Sequence, residues 1–393
     1  MSPPVPVSLV LLLLLTRAGT SDPAVQDLTS RNADFGTRLY RAVAGRTDDN
    51  VFLSPFTLSG GLLALLTAAG GLTQEQLLQG LTLTGQDPQA LPDLFQTLRN
   101  LVLQADPPLN LKQGVAIFPP HDFQMSAPYL DVVRTKFGGK AQSLAYTTPY
   151  EAADTINRWA QEQTGDQVQE LVSSLDPQTQ LLVATVASYQ TRFNPPFNSS
   201  STQDERFYVD KYHVAMVPMM FRADKYFLAY DRSVKAGVLK LPMTDGAAML
   251  AVLPDEDVDV TAVEEEVTSE KIKTWIRQLK KTNLEVQLPR FTLERSYSLR
   301  DALQSLDITQ VFQDDPDFSN MGGTNGPKLT QVYHKCVIAA DESSGAISSG
   351  GGVNTSSSPP PRLTFNRPFL VIIYQETSGT LLFMGRVANP TQK

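Results

Sequence analysis

The chain is predicted to fold as one α+β domain. Three observations carry that expectation. Apolar residues recur at helical spacing through residue 163, short apolar runs of strand type dominate from residue 181, and no internal repeat divides the two regions.

The helices come first. Residues 32–43 place Phe35, Leu39 and Tyr40 on one face. After a break at Ser54-Pro55, residues 58–69 form an apolar helix. Thr73 is expected to cap a further helix through Leu81, with Glu75 and Gln76 in its first turn. Residues 91–103 are amphipathic, and residues 150–163 carry Ala153, Ile156, Trp159 and Ala160 on a face that should lie on a surface. From residue 181 onward, 181–186, 207–209, 213–219, 237–241, 248–253 and 284–288 read as strands, mostly buried. A helix over 269–281 interrupts them, with Ile272, Trp275, Ile276 and Leu279 inward. Residues 368–374 and 381–387 close the chain as two apolar strands around the turn 376–379.

Hydrophobic residues make up 41% of the 393 residues and charged residues 19%, enough for a large core. The net charge of −8 argues against nucleic acid as a partner. Residues 1–20 read as a secretory signal, with an apolar run over 7–15 followed by Ala18, Gly19 and Thr20. That run is too short to span a bilayer. A secreted, extracellular protein is expected, with no membrane partner, and residues 21–393 form the single mature domain. The sequons at Asn198 and Asn354 suit that route. Cys336 is the only cysteine, so no intrachain disulfide forms, and its apolar surroundings mark it as buried rather than reactive.

Several segments, taken in order, resemble one family. They are NVFLSPFTLS (50–59), INRWAQEQTGDQVQELVSSLDPQTQL (156–181), FYVDKYHVAMVPMM (207–220), VLKLPM (238–243) and VQLPRFTLERSYSL (286–299). LTQVYHKCVIAADES (329–343) and FNRPFLVIIY with LLFMGRVANP (365–390) complete the pattern. The chain is identified as a member of the serpins and is most similar to their blood-plasma branch. The resemblance implies helices packed around three mixed β-sheets and an exposed reactive loop at about residues 343–362. It also implies suicide-substrate inhibition of an extracellular serine protease. The protease forms an acyl-enzyme with the loop, and the cut loop then enters the main sheet as a new strand.

The loop meets these needs poorly. Along the hinge, Glu342, Ser343, Ser344, Gly345 and Ala346, serine stands at 344 where the family prefers Gly, and Gly345 where it prefers Thr. Gly345, Gly350, Gly351 and Gly352 lower strand propensity. The inward set Gly345, Ile347, Ser349, Gly351, Val353 and Thr355 still permits insertion, since no proline precedes Pro359. Counted against the family pattern, the resemblance implies a reactive bond near Ser358-Pro359, where a leaving-side proline hinders most serine proteases. A glycan on Asn354 would crowd the same approach. This composition reads better as a solvated loop drifting from trapping than as bait for an unusual protease. A non-inhibitory carrier, hormone-like ligand or binding protein is the alternative function.

The resemblance further implies that Ser54, Thr57, Thr185 and His334 hold the main sheet shut, with Thr185 where the family has Asn. Phe193 stands where a Trp covers the sheet top. His334 reads as a core histidine that gates strands, not as a catalytic base. Lys273, Arg277, Lys280 and Lys281 form a basic stripe, read first as a solvated helix face and second as a glycosaminoglycan site. A plasma cofactor protein is a further partner the resemblance allows, and a monomer is expected. The helix at 91–103, which carries the heparin site in some relatives, has only Arg99. Direct enzymatic readings fail. His121, His213 and His334 have no metal-ligand spacing, no G-x-S-x-G elbow exists, and no cofactor motif is present.

Overall fold

The computed structural model describes residues 22–323, 326–342 and 359–393. The signal segment 1–20, hinge residues Ser343, Ser344, Gly345 and Ala346, the Asn354 sequon and Ser358 lie outside the described residues.

Helix α1 (Pro23–Ala44) begins nine residues earlier than the periodicity suggested, because Val25 and Leu28 extend its buried face. Asp22 caps it by accepting from the Ala24 N–H at 2.9 Å, and Pro23 sits in the first turn, where a missing N–H costs nothing. The same logic starts α2 (Pro55–Ala68) at the expected break, with Ser54 as its cap. Helix α3 (Gly71–Gly80) corrects the expected cap. Gly70 holds that position, while the Thr73 hydroxyl accepts from the Asp317 N–H at 2.9 Å. Helix α4 (Leu91–Leu103) is as expected, α5 (Ala127–Lys136) was not foreseen, and α6 spans Pro149–Thr164. The short α7 (Val260–Glu266) precedes α8 (Ser269–Gln278); α9 (Arg300–Gln304) and α10 (Ser319–Gly322) are single turns.

The strands begin with β1 (Val51–Leu53), β2 (Leu111–Phe118), β3 (Lys140–Ala141), β4 (Leu181–Gln190), β5 (Gln203–Tyr208), β6 (Val214–Asp231) and β7 (Ala236–Pro242). They continue with β8 (Ala247–Pro254), β9 (Lys280–Pro289), β10 (Phe291–Ser298), β11 (Leu329–Ala340), β12 (Arg362–Thr364), β13 (Phe369–Gln375) and β14 (Leu381–Val387). Among the described residues the small sheet has the order β10-β11-β4-β2-β3. The large sheet runs β1-β14-β13-β8-β7-β6-β9-β12, with β5 added to β6. The α+β architecture holds. The three expected sheets are hydrogen-bonded as two, because the 18-residue β6 pairs with β5 and β9 in one half and with β7 in the other.

The main core fills the space between α1, α2 and the inner faces of both sheets. A second core lies on the outer face of the small sheet, under α6. There Trp159 meets Phe118 edge-on at 5.9 Å. Gly114 of β2 makes that approach feasible, since a Cβ there would sit 2.5 Å from Gln163 and 2.9 Å from Trp159.

Candidate functional site: the seam of the small sheet

Two neighbouring inner strands of the small sheet, β4 and β11, run parallel and pair directly from Leu181/Leu329 to Gln190/Ala339. β4 is buried on both faces, as its unbroken run LLVATVASY requires. β11 leads toward the loop. A strand that followed β11 and folded back between the two would be antiparallel to both, replacing one parallel pairing with two antiparallel ones.

The seam is held from beneath by the start of α2. The Ser54 N–H donates to His334 Nε2 at 3.0 Å, and His334 Nδ1 lies 2.7 Å from the Thr185 hydroxyl. A backbone N–H can only donate, so Nε2 carries no proton, and the ring is the neutral tautomer whose Nδ1–H donates to Thr185. Burial fits this assignment and pushes the His334 pKa down to about 3. Tyr297 stacks on the ring at 6.4 Å, and the Cys336 thiol, its pKa raised by burial, lies 2.9 Å from Nε2. Ser54 Oγ donates to the Leu382 carbonyl at 2.9 Å and lies 3.0 Å from Thr57 Oγ1. Gly61 lets α2 touch β4, since a Cβ there would stand 2.8 Å from Thr185 Cγ2. Ser54, Thr57, Thr185 and His334, grouped together from the sequence, therefore meet at one place. Gln113, on the unforeseen β2, joins them by accepting from the Thr57 hydroxyl at 2.6 Å.

At the loop end of the seam, Glu342 is clamped. Arg290 donates to both its carboxylate oxygens at 2.8 and 2.9 Å, and the Thr202 hydroxyl donates as well. Burial alone would raise the Glu342 pKa, but these hydrogen bonds outweigh it and hold the carboxyl below its ordinary range. Beyond the loop, Pro359 is exposed, the Pro361 carbonyl accepts from the Glu285 N–H at 3.0 Å, and β12 pairs with β9. Phe193 is buried, bridges to Met243 and meets Phe197 edge-on at 5.5 Å.

Asn198 is exposed, and its side-chain oxygen accepts from the Ser200 N–H at 3.0 Å. The basic stripe is reorganised. Helix α8 ends at Gln278 because Leu279 turns to an extended conformation, so Lys280 and Lys281 open β9 instead of continuing one helical face. Lys273 is held by Ser30 and Glu270 at 2.7 and 2.8 Å, and Lys281 lies over the Phe227 ring. Arg277 and Lys280 instead line an open cleft with Arg232. A smaller cleft of about 280 Å³ lies between α1 and α8, lined by Ala33, Ile272, Ile276 and Leu381 with Ser30 and Lys273 at its polar wall.

Residues 30–390 match the family model described as Serpin (serine protease inhibitor). Protein Z-dependent protease inhibitor of Homo sapiens is 32% identical over 371 residues, covering 93% of this chain and 83% of the relative. The crystal structure of mouse protein-Z dependent protease inhibitor superposes with a TM-score of 0.86 at 30% identity, covering 93% of this chain and 98% of that one. Human thyroxine-binding globulin complexed with thyroxine superposes with a TM-score of 0.87 at 28% identity, covering 93% and 99%. With the family model matched over residues 30–390 and a relative 32% identical over 93% of this chain, the chain belongs to the serpin family.

Proposed function

We propose that this chain is secreted and opposes extracellular serine proteases by loop insertion, as a weakened trap. The observation that carries this reading is the directly paired β4–β11 seam, a place where a strand can enter with a gain in pairing. The attacking protease serine would bond to the Ser358 carbonyl carbon. The bond to Pro359 nitrogen would break, and that nitrogen would leave with a proton. The ester-linked segment would then enter the seam, antiparallel to β4 and β11, before water could free the protease. The Glu342–Arg290 clamp supports a hinge held at the mouth of the seam until cleavage.

Trapping is weakened at the bond and in the loop. Proline on the leaving side slows acylation, and the glycines of the loop cost backbone entropy on ordering. Asn198 and Asn354 are proposed glycan sites on the secreted form. Arg277 and Lys280, with Arg232, would be the cationic rim for a sulfated glycosaminoglycan.

A second reading, a carrier of a small amphipathic molecule, is favoured by the cleft between α1 and α8. It draws support from the likeness to a globulin solved with thyroxine. Incubation of the secreted protein with trypsin-like, chymotrypsin-like, elastase-like and coagulation proteases decides between the two. An SDS-stable complex formed at high molar excess supports the weakened trap. Cleavage of the loop by every protease with no complex would sink it.

A further inference from the structure

We propose that Gln113 is a positioning residue for the seam: by holding Thr57 of α2, it sets how readily β4 and β11 part. The inference rests on the proposed insertion reading only for its consequence in trapping.

Hydrogen bonds form a run from β2 through α2 to β11. The Thr57 hydroxyl donates to Gln113 Oε1 at 2.6 Å, the Thr57 N–H donates to Ser54 Oγ at 3.3 Å, and the Ser54 N–H donates to His334. From Gln113 to Ser54 the run passes beneath β4, and it meets β4 at His334. The one β4 hydroxyl in reach, on Thr185, accepts from His334 Nδ1 and faces the Tyr333 carbonyl at 3.5 Å. Toward α2, Thr185 offers only its methyl group, in contact with Gly61.

β4 is nevertheless bound to β2 by an antiparallel ladder from Leu111/Tyr189 to Phe118/Leu182, so the two strands move together. When β4 leaves β11, Gln113 travels with β4 while His334 stays with β11. Helix α2 is bonded to both, so one bond must break. The Thr57–Gln113 bond is thus a second closure, in parallel with His334–Thr185. It lets a threonine at 185 suffice, because α2 is tied to the β2–β4 unit through its neighbour strand.

The test compares Gln113→Leu, which removes the acceptor, with Gln113→Glu, which keeps an acceptor oxygen. Amide hydrogen exchange is read in β4 and β11 and, as an internal reference, in β13 and β14. A synthetic peptide with the sequence of residues 343–356 is offered to each protein in parallel. Gln113→Leu should speed exchange in β4 and β11 by about 5–10-fold while β13 and β14 stay unchanged. Gln113→Glu should return it toward wild type. Unchanged exchange at the seam, equal acceleration in all four strands, or a Glu variant that behaves like Leu would each overturn the role of Gln113. Faster seam exchange with no peptide uptake by any variant would leave that role standing and remove the insertion reading. Uptake by the wild type with no change at the seam would do the reverse.

Discussion

Acidification should loosen this protein through His334 in a way that one substitution exposes. The ring is fully buried and neutral, with its pKa lowered from 6.5 to about 3. An unfolded chain takes up that proton below pH 6.5, whereas the folded chain refuses it until about pH 3. The stability tied to a neutral His334 is therefore complete above pH 6.5 and drains away as the pH falls toward 3. At roughly 1.4 kcal/mol per pH unit, the loss by pH 4.5 is about 3 kcal/mol. Other groups contribute in acid as well. Glu342 and Asp224 have lowered pKa values and lose their contribution as they protonate, so absolute stability cannot isolate the histidine. The comparison with His334→Gln can, because glutamine offers Ser54 an acceptor and Thr185 a donor without titrating. Urea unfolding followed by the fluorescence of Trp159 and Trp275, from neutral pH to about 4.5, gives the two profiles. The wild type should fall more steeply than the variant by the amount above. Parallel profiles would refute the assignment of a neutral, buried ring.

Three further outcomes are expected. Glu342→Lys sets a cation against Arg290 and should cost about 1–3 kcal/mol and speed uptake of the loop peptide, read by urea midpoint and by native gel. Gly114→Ala places a methyl into Gln163 and Trp159, and should lower stability by about 1–3 kcal/mol with a changed near-UV signal from Trp159. Asn198→Gln should increase the gel mobility of protein secreted from mammalian cells, and glycosidase treatment should no longer shift that band at this site.

The fold was legible where the apolar pattern is one-sided or continuous. β14 appears at the residues read from the sequence, and β4 and β13 nearly so, because buried strands announce themselves as unbroken apolar runs. Boundaries failed where a polar stretch continues an element. α1 gained nine residues at its start, and α8 lost Lys280 and Lys281 to a strand whose first four residues are polar and unburied. That Ser54, Thr57, Thr185 and His334 lie together was legible only through the family pattern, since they lie far apart in the chain. Gln113 was not. It sits in a segment whose one strand signal is Val115 to Phe118, and its role depends on a contact with an N-terminal helix that no local pattern encodes.

The seam also shows where weakness in trapping would lie. Thr185 and Phe193 read as departures from the family, yet Thr185 bonds to His334 and Phe193 is buried beside Met243 and Phe197. Both substitutions are accommodated in the closed sheet, so on the proposed reading the deficit falls on the entering strand. Of its inward residues, Gly345, Ile347, Ser349, Gly351, Val353 and Thr355, only Ile347 and Val353 carry a large apolar side chain. Together they would contribute roughly 3–6 kcal/mol on burial. Ordering Gly345, Gly350, Gly351 and Gly352 costs about 0.5–1 kcal/mol each against alanine and offsets much of that gain. A pair such as Gly345→Thr with Gly351→Ala should therefore recover driving force without touching the seam. If the altered protein, once nicked in the loop, melts no higher than the nicked wild type, the entering strand is not what limits insertion.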